Sequence, residues 1–296
     1  MHTPKELKFL FVINPISGGK EKNDWETAIR EYFKDKPHTQ EFYLLTGNDD
    51  KRSVQLFIER IQPDRVVSVG GDGTVKMIAE LLQHTRIALG ILPAGSANGM
   101  AKELGIPDDA TGALDIITHG VETKIDCIKI NEEELCMHLS DIGLNAMLVK
   151  YFEKSVGRGM WGYGKAIFRV LWEKRKMKVT IETDEGTVKR FAYMVAIANA
   201  RKYGTGANIN PGGDVADGIF EVVVVRKLNL AEIGKAIFTD RTFHPKKIEV
   251  FATKNLKLNV HRKAYFQIDG EFVGKVTSVS ARILPKIITV MLPQQQ

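Results

Sequence analysis

Short apolar runs alternate with helical patterns over the first part of the chain. The largely apolar run at residues 7–13 ends at Asn14-Pro15, which is typical of a strand buried in a parallel sheet. In the next segment Trp25, Ile29 and Phe33 recur every four residues, the spacing of one helix face. This order predicts a three-layer, doubly wound α/β domain. Its predicted strands continue at 41–45, 65–69 and 86–92, and its helices lie at 24–34, 53–61 and 75–83.

From about residue 125 onward the apolar runs become short and closely spaced, which indicates β-structure. Predicted strands lie at 123–130, 178–183, 188–198, 218–225, 257–260, 264–268 and 278–283, with one helical pattern at 165–176 between them. This series of short, closely spaced strands predicts an antiparallel β-sandwich domain. A chain of 296 residues is long enough for two domains. We therefore expect an α/β domain at 1–124 and a β-rich domain at 125–296, whose C-terminal tail is free to return to the first domain.

The net charge of +6 is concentrated in one segment. Residues 150–178 contain nine Lys and Arg against two Glu, so the rest of the chain is close to neutral. A local basic patch favours an anionic partner surface, and no nucleic-acid binding motif accompanies it. At 165–176 the apolar residues form one stripe. That pattern is typical either of an amphipathic helix that docks on anionic lipid or of a helix packed on its own domain with a solvated basic face.

Several classes of protein fit the composition poorly. The two cysteines, Cys127 and Cys136, form no disulfide framework and indicate a reducing compartment, a single bridge between them being the alternative. The seven histidines include no helical i, i+4 pair, which disfavours a zinc site. Neither a signal peptide pattern nor an apolar run of about 20 residues is present. We expect a soluble, cytoplasmic protein that is peripheral at the membrane. Both a monomer and a homodimer are compatible with the sequence.

Three glycine-containing clusters follow predicted strands, at residues 14–19, 70–74 and 93–99. Glycines at strand-to-helix turns allow backbone N–H groups to converge on phosphate oxygens, and the helix N-terminus adds a favourable partial charge. The alternative is that each cluster is a tight turn or a helix cap. Because all three lie at the carboxyl ends of strands, where ligands of open α/β sheets collect, we favour a phosphate site. Neither the Walker pattern nor G-x-G-x-x-G is present.

Two carboxylate motifs in the second half are candidates for chemistry. Asp269-Gly270 lies between two predicted strands and is a strong hairpin signal, and a hairpin tip can present Asp269 to a cleft. Asp214 and Asp217 are three residues apart in a glycine-rich loop, which suits a hard cation such as Mg²⁺. The alternative for this second motif is an ordinary solvated loop.

The order of these motifs resembles that of the diacylglycerol kinase and sphingosine kinase family of lipid kinases, bacterial type. The resemblance rests on Gly-Gly-Asp-Gly-Thr at 70–74, Asn-Pro-x-Ser-Gly-Gly at 14–19 and Leu-Pro-x-Gly-Ser-x-Asn at 92–98. NAD kinases share the first of these motifs, whereas the combination is more specific. Bacterial diacylglycerol-type kinases often have Gly-Thr-x-Asn-Asp at the third motif. The Gly-Ser-Ala-Asn-Gly found here is closer to the sphingosine and ceramide kinase form.

The resemblance implies transfer of the γ-phosphate of ATP to a lipid hydroxyl, with Mg²⁺. It implies that Asp269 is the general base, that Glu271 supports it and that Asp72 faces the ATP-bound Mg²⁺. A structural magnesium site would use Asp214, Asp217 and the carbonyl of Ile219. The implied nucleotide-binding residues are Asn14, Thr46, Gly70, Gly71, Asp72, Gly73, Thr74, Val75, Lys76, Gly95, Ser96 and Asn98.

Two other functions remain as alternatives. An NAD kinase-like enzyme would share residues 70–74, and a non-catalytic lipid-binding regulator would share the scaffold without turnover. For the lipid kinase, we expect the acyl chain to lie in an apolar groove near residues 139–149. Asp141 in that segment is expected either to contact a polar head group or to be a loop residue.

Overall fold

The computed structural model of the chain describes residues 6–17, 25–147, 175–203, 207–208, 213–227 and 248–294. The chain forms two compact units. Unit 1 contains Met1–Ile125 together with Lys286–Gln296, and unit 2 contains Asp126–Pro285. The predicted fold class, an α/β domain followed by a β-sandwich domain, is confirmed. Over the part of the chain that the structure describes, no helix is long and apolar enough to cross a bilayer.

Unit 1 is built on a parallel sheet with the strand order β2–β1–β3–β4. The strands are β1 (Lys8–Ile13), β2 (Thr39–Leu44), β3 (Arg65–Gly70) and β4 (Ala88–Pro93). The helices are α1 (Trp25–Phe33), α2 (Asp50–Ile61), α3 (Asp72–Leu82), α4 (Gly99–Glu103) and α5 (Ala110–His119). Every residue of β3 and β4 is buried, as is expected of central strands in a parallel sheet, and in β3 this includes the polar residues Arg65 and Ser68.

Aromatic side chains fill much of the core of unit 1. The ring of Phe9 lies 5.0 Å from that of Phe33 and 6.1 Å from that of Phe11, so the first strand and the first helix are packed together. Ile29 of α1 is also buried, which confirms the helical stripe read from the sequence. Gly90 in β4 allows α5 to approach the sheet, since a Cβ there would lie 3.0 Å from the Ile117 side chain.

Unit 2 is an antiparallel β-structure. Its strands are β5 (Val121–Ile130), β6 (Glu134–Cys136), β7 (Leu139–Gly143), β8 (Met177–Thr183), β9 (Gly186–Ala192), β10 (Met194–Ala198), β11 (Lys202–Tyr203), β12 (Ala207–Asn208), β13 (Phe220–Val225), β14 (Ile248–Thr253), β15 (Asn255–Ile268) and β16 (Glu271–Leu292), with β5 beginning in unit 1. The order β14–β13–β10–β7–β15–β16 runs through antiparallel pairs, and β15 also pairs with β8, which pairs with β9. The alternating inward residues of these strands form one large apolar core.

The last strand belongs to both units. The first part of β16 pairs with β15 in unit 2, with register shifts in β15 between Asn259 and Ala264 and between Phe266 and Gln267. The last part of β16 is in unit 1, where Val290 pairs in parallel with Leu89 of β4. Unit 1 therefore has a fifth strand that comes from the far end of the sequence.

Candidate active site

Three turns at the carboxyl ends of β1, β3 and β4 lie against one another in unit 1. The backbone amide of Asn14 donates to the carbonyl of Val69 (2.9 Å), and that of Ala94 donates to Gly70 (3.0 Å). A Cβ on Gly95 would lie 2.5 Å from the Cα of Gly71, so the turns after β3 and β4 are in backbone contact. Only glycine permits this approach between the turns after β3 and β4, and the described residues of the first cluster, 14–17, begin beside them.

The turn after β3 leads directly into the N-terminus of α3. Gly71 is the N-cap residue and provides no side-chain hydrogen bond to the helix. A Cβ on Gly70 would lie 2.4 Å from the Thr74 hydroxyl, so this position also requires glycine. Glycines before a helix N-terminus leave main-chain donors and the positive end of the helix dipole for an anion. This geometry is the one that a phosphate group uses.

Asp72 and Asn98 hold the turn after β4 in place. The carboxylate of Asp72 accepts from the amides of Gly99 (Oδ2, 2.9 Å) and Met100 (Oδ1, 2.9 Å), at the N-terminus of α4. Asn98 has a left-handed backbone, and its side chain accepts from the Gly95 amide (2.9 Å) and donates to the Gly95 carbonyl (3.0 Å). In this structure Asp72 therefore holds the loop after β4 against the N-terminus of α3. Its contact with ATP-bound Mg²⁺ stays a prediction.

The remaining predicted nucleotide residues of unit 1 differ in exposure. Gly73 in the first turn of α3 and Ser96 in the loop after β4 are exposed, so a ligand can reach them. Thr74 and Lys76 are buried, and the Thr74 hydroxyl accepts from the Asn14 side chain (3.4 Å). Val75 is also buried, and its amide donates to the carbonyl at the N-cap of α3 (3.1 Å), so the structure gives it a core and helix-forming role.

Thr46 lies in a turn after β2 that is organised by a carboxylate. The Thr46 amide (2.9 Å) and hydroxyl (3.0 Å) both donate to Oδ1 of Asp50, and the Gly47 amide donates to Oδ2 (2.8 Å). These hydrogen bonds, the Thr46 amide foremost, lower the pKa of Asp50. Asp50 belongs to none of the predicted motifs, and the only signal that could have identified it is an acidic residue in the first turn of a helix.

In unit 2 the Asp-Gly hairpin predicted from the sequence is present. Ile268 at the end of β15 pairs with Glu271 at the start of β16. Asp269 (φ 49°) and Gly270 (φ 86°) both have positive φ, as a two-residue loop of type I′ requires. Glu271 is exposed at the first position of β16.

Backbone amides surround the carboxylate of Asp269. Its Oδ1 accepts from the amides of His138 (2.9 Å) and Leu139 (3.1 Å), and its Oδ2 accepts from the amide of Met137 (3.0 Å). The Cys136 thiol donates to Oδ1 at 3.4 Å. Consecutive N–H groups that converge on one anion form a nest, which fixes the carboxylate in one orientation. The nest keeps Asp269 ionised and in one place, and a general base must be held within reach of the proton that it accepts.

A buried polar network supports the hairpin from β7. Asp141 is fully buried in that strand and accepts from the side chain of Asn145 (2.7 Å) and the amide of Ala146 (2.9 Å). The Gln267 amide group donates to Asp141, and its Oε1 accepts from the Gly270 amide (2.7 Å). The expectation that Asp141 is a loop residue is wrong, because it lies inside β7. Burial also argues against its contact with a head group.

The acidic loop at 213–219 contains two short side-chain-to-backbone turns. Asp214 accepts from the amide of Ala216 (3.0 Å), and Asp217 accepts from the amide of Ile219 (3.1 Å). Asp126, which the sequence reading missed, is fully buried and accepts from the amide of Gly218 (2.6 Å). Partial burial and the negative charges of Asp214 and Asp126 raise the pKa of Asp217.

This loop offers two kinds of oxygen donor, neighbouring carboxylates and main-chain carbonyls. Together they fit a hard divalent cation. Among the described residues, however, no three His, Cys, Asp or Glu side chains are placed to share one metal ion. A cation at this loop would therefore use Asp214 and Asp217 together with main-chain oxygen, as the predicted set with Ile219 does.

Asn199 joins the acidic loop to the nest around Asp269. Its side-chain amide donates to the carbonyls of Asp126 and Met137, both at 2.9 Å, and its own backbone amide donates to His138 (3.1 Å). Burial, followed by the negative charges of Asp269 and Asp126, raises the pKa of the Cys127 thiol. The two carboxylate sites of unit 2 are thus parts of one hydrogen-bonded region.

Comparison with known proteins shows which family the chain belongs to. Residues 8–130 match the diacylglycerol kinase catalytic domain, and residues 141–292 match the YegS C-terminal NAD kinase beta sandwich-like domain. The chain belongs to the diacylglycerol kinase family. The resemblance read from the motifs is confirmed, and as a member of this family the chain is a kinase with an alcohol group as acceptor.

Individual relatives agree with the family. Diacylglycerol kinases of Staphylococcus epidermidis and Staphylococcus aureus are each 26% identical to this diacylglycerol kinase family member over 224 residues, which is 72% of the chain and 69% or 70% of the relative. A putative diacylglycerol kinase structure from Bacillus anthracis has a TM-score of 0.78 at 21% identity and covers 99% of this chain and 98% of its own. An NAD kinase of Archaeoglobus fulgidus in complex with ATP has a TM-score of 0.55 at 12% identity, covering 97% and 94%.

Proposed function

We propose that this chain transfers the γ-phosphoryl group of ATP to the hydroxyl of a membrane lipid, with diacylglycerol or a sphingoid base as the acceptor class. The observation that carries the proposal is the carboxylate of Asp269, fixed by the amides of residues 137–139 at a hairpin tip. The named relatives are diacylglycerol kinases, and the NAD kinase that shares the fold was solved with ATP. Both support the choice of donor and of a lipid acceptor.

Each step of the transfer has a residue to perform it. The glycine turns at Gly70, Gly71 and Gly95 hold phosphate through main-chain donors. Asp269 accepts the proton of the lipid hydroxyl as its oxygen bonds to the γ-phosphorus and the bond from that phosphorus to the β-phosphate oxygen breaks, which releases ADP. Glu271 is assigned a supporting role next to Asp269. Mg²⁺, when bound, supplies neutralisation of phosphate charge.

The proposed metal and membrane contacts are separate parts of the function. Asp214, Asp217 and the carbonyl of Ile219 are proposed as ligands of a structural Mg²⁺ ion, whose charge would offset the burial and the neighbouring carboxylates that raise the pKa of Asp217. Peripheral contact with an anionic membrane is proposed from the basic character of residues 150–178. Of the predicted amphipathic helix at 165–176, residues 165–174 lie outside the described residues, and residues 175–176 are not helical.

A panel of acceptors with radiolabelled ATP tests the proposed function. Diacylglycerol, sphingosine and ceramide in mixed micelles, and NAD in solution, are offered separately to the wild-type protein. We expect label to enter a lipid and not NAD. Label in NAD would instead support the NAD kinase-like alternative, and absence of ATP consumption with every acceptor would support a non-catalytic regulator. The Gly-Ser-Ala-Asn-Gly form of the third motif makes the sphingoid bases a necessary part of the panel.

A further inference from the structure

Unit 2 contains a buried pair of polar side chains that the proposed chemistry does not use. Asp141 in β7 and Gln267 in β15 are cross-strand partners in the short antiparallel ladder that joins these strands. Asp141 is completely buried, and Gln267 is only 2% exposed. Burying an ionisable group and an amide costs free energy, and two apolar side chains would fill the same space without that cost. Packing alone therefore does not account for the pair.

The carboxylate of Asp141 determines which way the Gln267 side chain points. An ionised carboxylate accepts hydrogen bonds and donates none, so the end of the Gln267 amide that faces it must be the amino group. That amino group donates to Oδ2 of Asp141. The carbonyl end then points the other way, and its Oε1 accepts from the backbone amide of Gly270 at 2.7 Å. Without a carboxylate at position 141, the Gln267 amide could turn over and present to Gly270 a group that cannot accept.

Asp141 and Gln267 are themselves held in place. Oδ1 of Asp141 accepts from the amide of Ala146 (2.9 Å), and Oδ2 accepts from the side chain of Asn145 (2.7 Å) as well as from Gln267. A carboxylate with donors on both oxygens has little freedom to rotate. The hydroxyl of Ser140, the preceding residue in β7, donates to the Gln267 carbonyl at 2.7 Å. Both the main chain and the side chain of Gln267 are therefore attached to β7.

The β15–β16 ladder is irregular next to Gln267. Phe266 pairs with Gly274, whereas Gln267 pairs with Phe272. Val273 therefore lies between these two pairs as an extra residue of β16, and its side chain is 54% exposed. A bulge of this kind bends its strand and re-aims nearby side chains. The position of the hairpin tip therefore depends on its attachment to β7 as well as on the pairing of its own two strands.

The contact from Gln267 acts on the tightest part of the hairpin. Asp269 (φ 49°) and Gly270 (φ 86°) are the two residues of its loop. A hydrogen bond to the Gly270 amide restricts rotation of this loop, and the Asp269 side chain is carried on the same loop. The amides of residues 137–139 hold the Asp269 carboxylate itself. The hairpin is thus fixed through its side chain by residues 137–139 and through its backbone by Gln267.

We propose that Asp141 and Gln267 are positioning residues of the transfer reaction. Asp141 sets the orientation of the Gln267 amide, and Gln267 holds the backbone of Gly270. Gly270 in turn sets the place of the Asp269 carboxylate relative to the acceptor hydroxyl. Both positioning residues are buried and act through the hairpin, not on the substrate. The inference rests on the proposed function, because it concerns the reaction in which Asp269 is the base.

The variant Asp141→Asn tests the proposal. An Asn side chain has one oxygen and one amino group, so the amino group must face one of the donors that surround position 141. The Gln267 amide then turns over and loses its hydrogen bond to Gly270. Because a misplacement of about 1 Å costs on the order of a hundredfold in rate, we expect kcat to fall about a hundredfold while the KM for ATP is unchanged. Wild-type kcat in this variant would overturn the proposal.

A second substitution should rescue this loss. In the double variant Asp141→Asn, Gln267→Glu, donor and acceptor are exchanged between the two positions. The amino group of the new Asn donates to the new carboxylate, which also accepts from the Gly270 amide. We expect kcat to recover most of the loss, which general loosening of unit 2 would not produce. A double variant no more active than Asp141→Asn would contradict the proposed order of contacts.

Gln267→Leu removes the contact with Gly270 directly. We expect it to lower kcat about as much as Asp141→Asn does. Combining the two substitutions should cause no further loss, because Asp141 acts on the hairpin through Gln267. Losses of kcat that multiply in the combined variant would show that the two residues act independently and would refute this part of the proposal.

Thr253→Val is the matched control for loss of a buried hydrogen bond. Thr253 is 3% exposed, and its hydroxyl donates to Asp184 (2.9 Å) and to the Asn255 carbonyl (2.8 Å), in another turn of unit 2. We expect this variant to have a lower Tm, as Gln267→Leu does, and to keep the kcat of the wild type. An equal loss of kcat in both variants would show that turnover follows the stability of unit 2, and the positioning role would be rejected.

Hydrogen exchange of the Gly270 amide, measured by NMR, tests the positioning without turnover. We expect slow exchange in the wild type and in Thr253→Val, loss of protection in Asp141→Asn and Gln267→Leu, and restored protection in the double variant with Gln267→Glu. Unchanged exchange in the two single variants would overturn the proposal even if the enzyme is active. The expected exchange pattern in a protein that phosphorylates no lipid would refute the proposed function, while the link from Asp141 to Gly270 would stand.

Discussion

Replacing Asp269 by Asn tests both the proposed chemistry and the hydrogen bonds around this side chain. In the wild type both carboxylate oxygens accept from backbone amides, those of His138 and Leu139 on one side and that of Met137 on the other. An Asn side chain keeps one oxygen, so its amino group must face at least one backbone N–H. A buried donor left unsatisfied costs about 1–3 kcal/mol of the stability of unit 2. Loss of the proton acceptor lowers turnover by about 10²–10⁴-fold.

Asp184→Asn is the matched control for this experiment. The carboxylate of Asp184 also accepts from backbone amides, those of Lys254 (2.7 Å) and Asn255 (3.1 Å), in another turn of unit 2. Urea unfolding, calorimetric titration with ATP and lipid turnover are measured on both variants. We expect both to unfold at lower urea and to bind ATP like the wild type, and only Asp269→Asn to lose turnover. Wild-type turnover in Asp269→Asn refutes the assigned base, and wild-type unfolding refutes the hydrogen-bond argument.

Gly95→Ala should remove ATP binding, because its Cβ would lie 2.5 Å from the Cα of Gly71. The shift in Tm on adding ATP measures this binding. Ala97→Ser is the control and should keep the shift. Hydrogen bonds to the Asn255 side chain, to backbone amides and to a hydroxyl lower the pKa of Asp184 to about 2. Its contribution to stability is therefore present above the ordinary carboxyl pKa of about 4 and is lost as the pH falls toward 2. Urea unfolding across this range should show that the free energy of unfolding depends less on pH in Asp184→Asn than in the wild type. Addition of a chelator should lower the Tm of the wild type but not of Asp217→Ala, and a persisting response in that variant would place the cation elsewhere.

The first strand, the first helix and the Asp-Gly hairpin could be predicted because each depends on local sequence. The run at 7–13 and the stripe of Trp25, Ile29 and Phe33 specify a strand and a helix by periodicity, and the structure has β1 and α1 at these places. Asp269-Gly270 specifies a tight turn because both residues must adopt positive φ. In each case the information lies within a dozen residues.

Interactions between distant segments could not be predicted in this way. The nest around Asp269 consists of main-chain amides from 137–139, and any residue except proline supplies such an amide. Asp72 binds the amide of Gly99, although the motif around Asp72 indicated a metal-facing role. Asp126 and Asn199 become part of the acidic region only because antiparallel pairing brings their strands together. Contacts that depend on register and on backbone groups leave little trace in the side-chain sequence.

The shared strand β16 sets a condition on how the protein is made. Unit 1 receives its fifth strand from residues 286–292, so its sheet cannot be finished while those residues are still inside the ribosome. Proteins of several domains generally fold from the N-terminus as they are synthesised. Here the sheet of the N-terminal unit is complete only after residues 286–292 have emerged, and until then the edge of β4 is unprotected and open to wrong pairing.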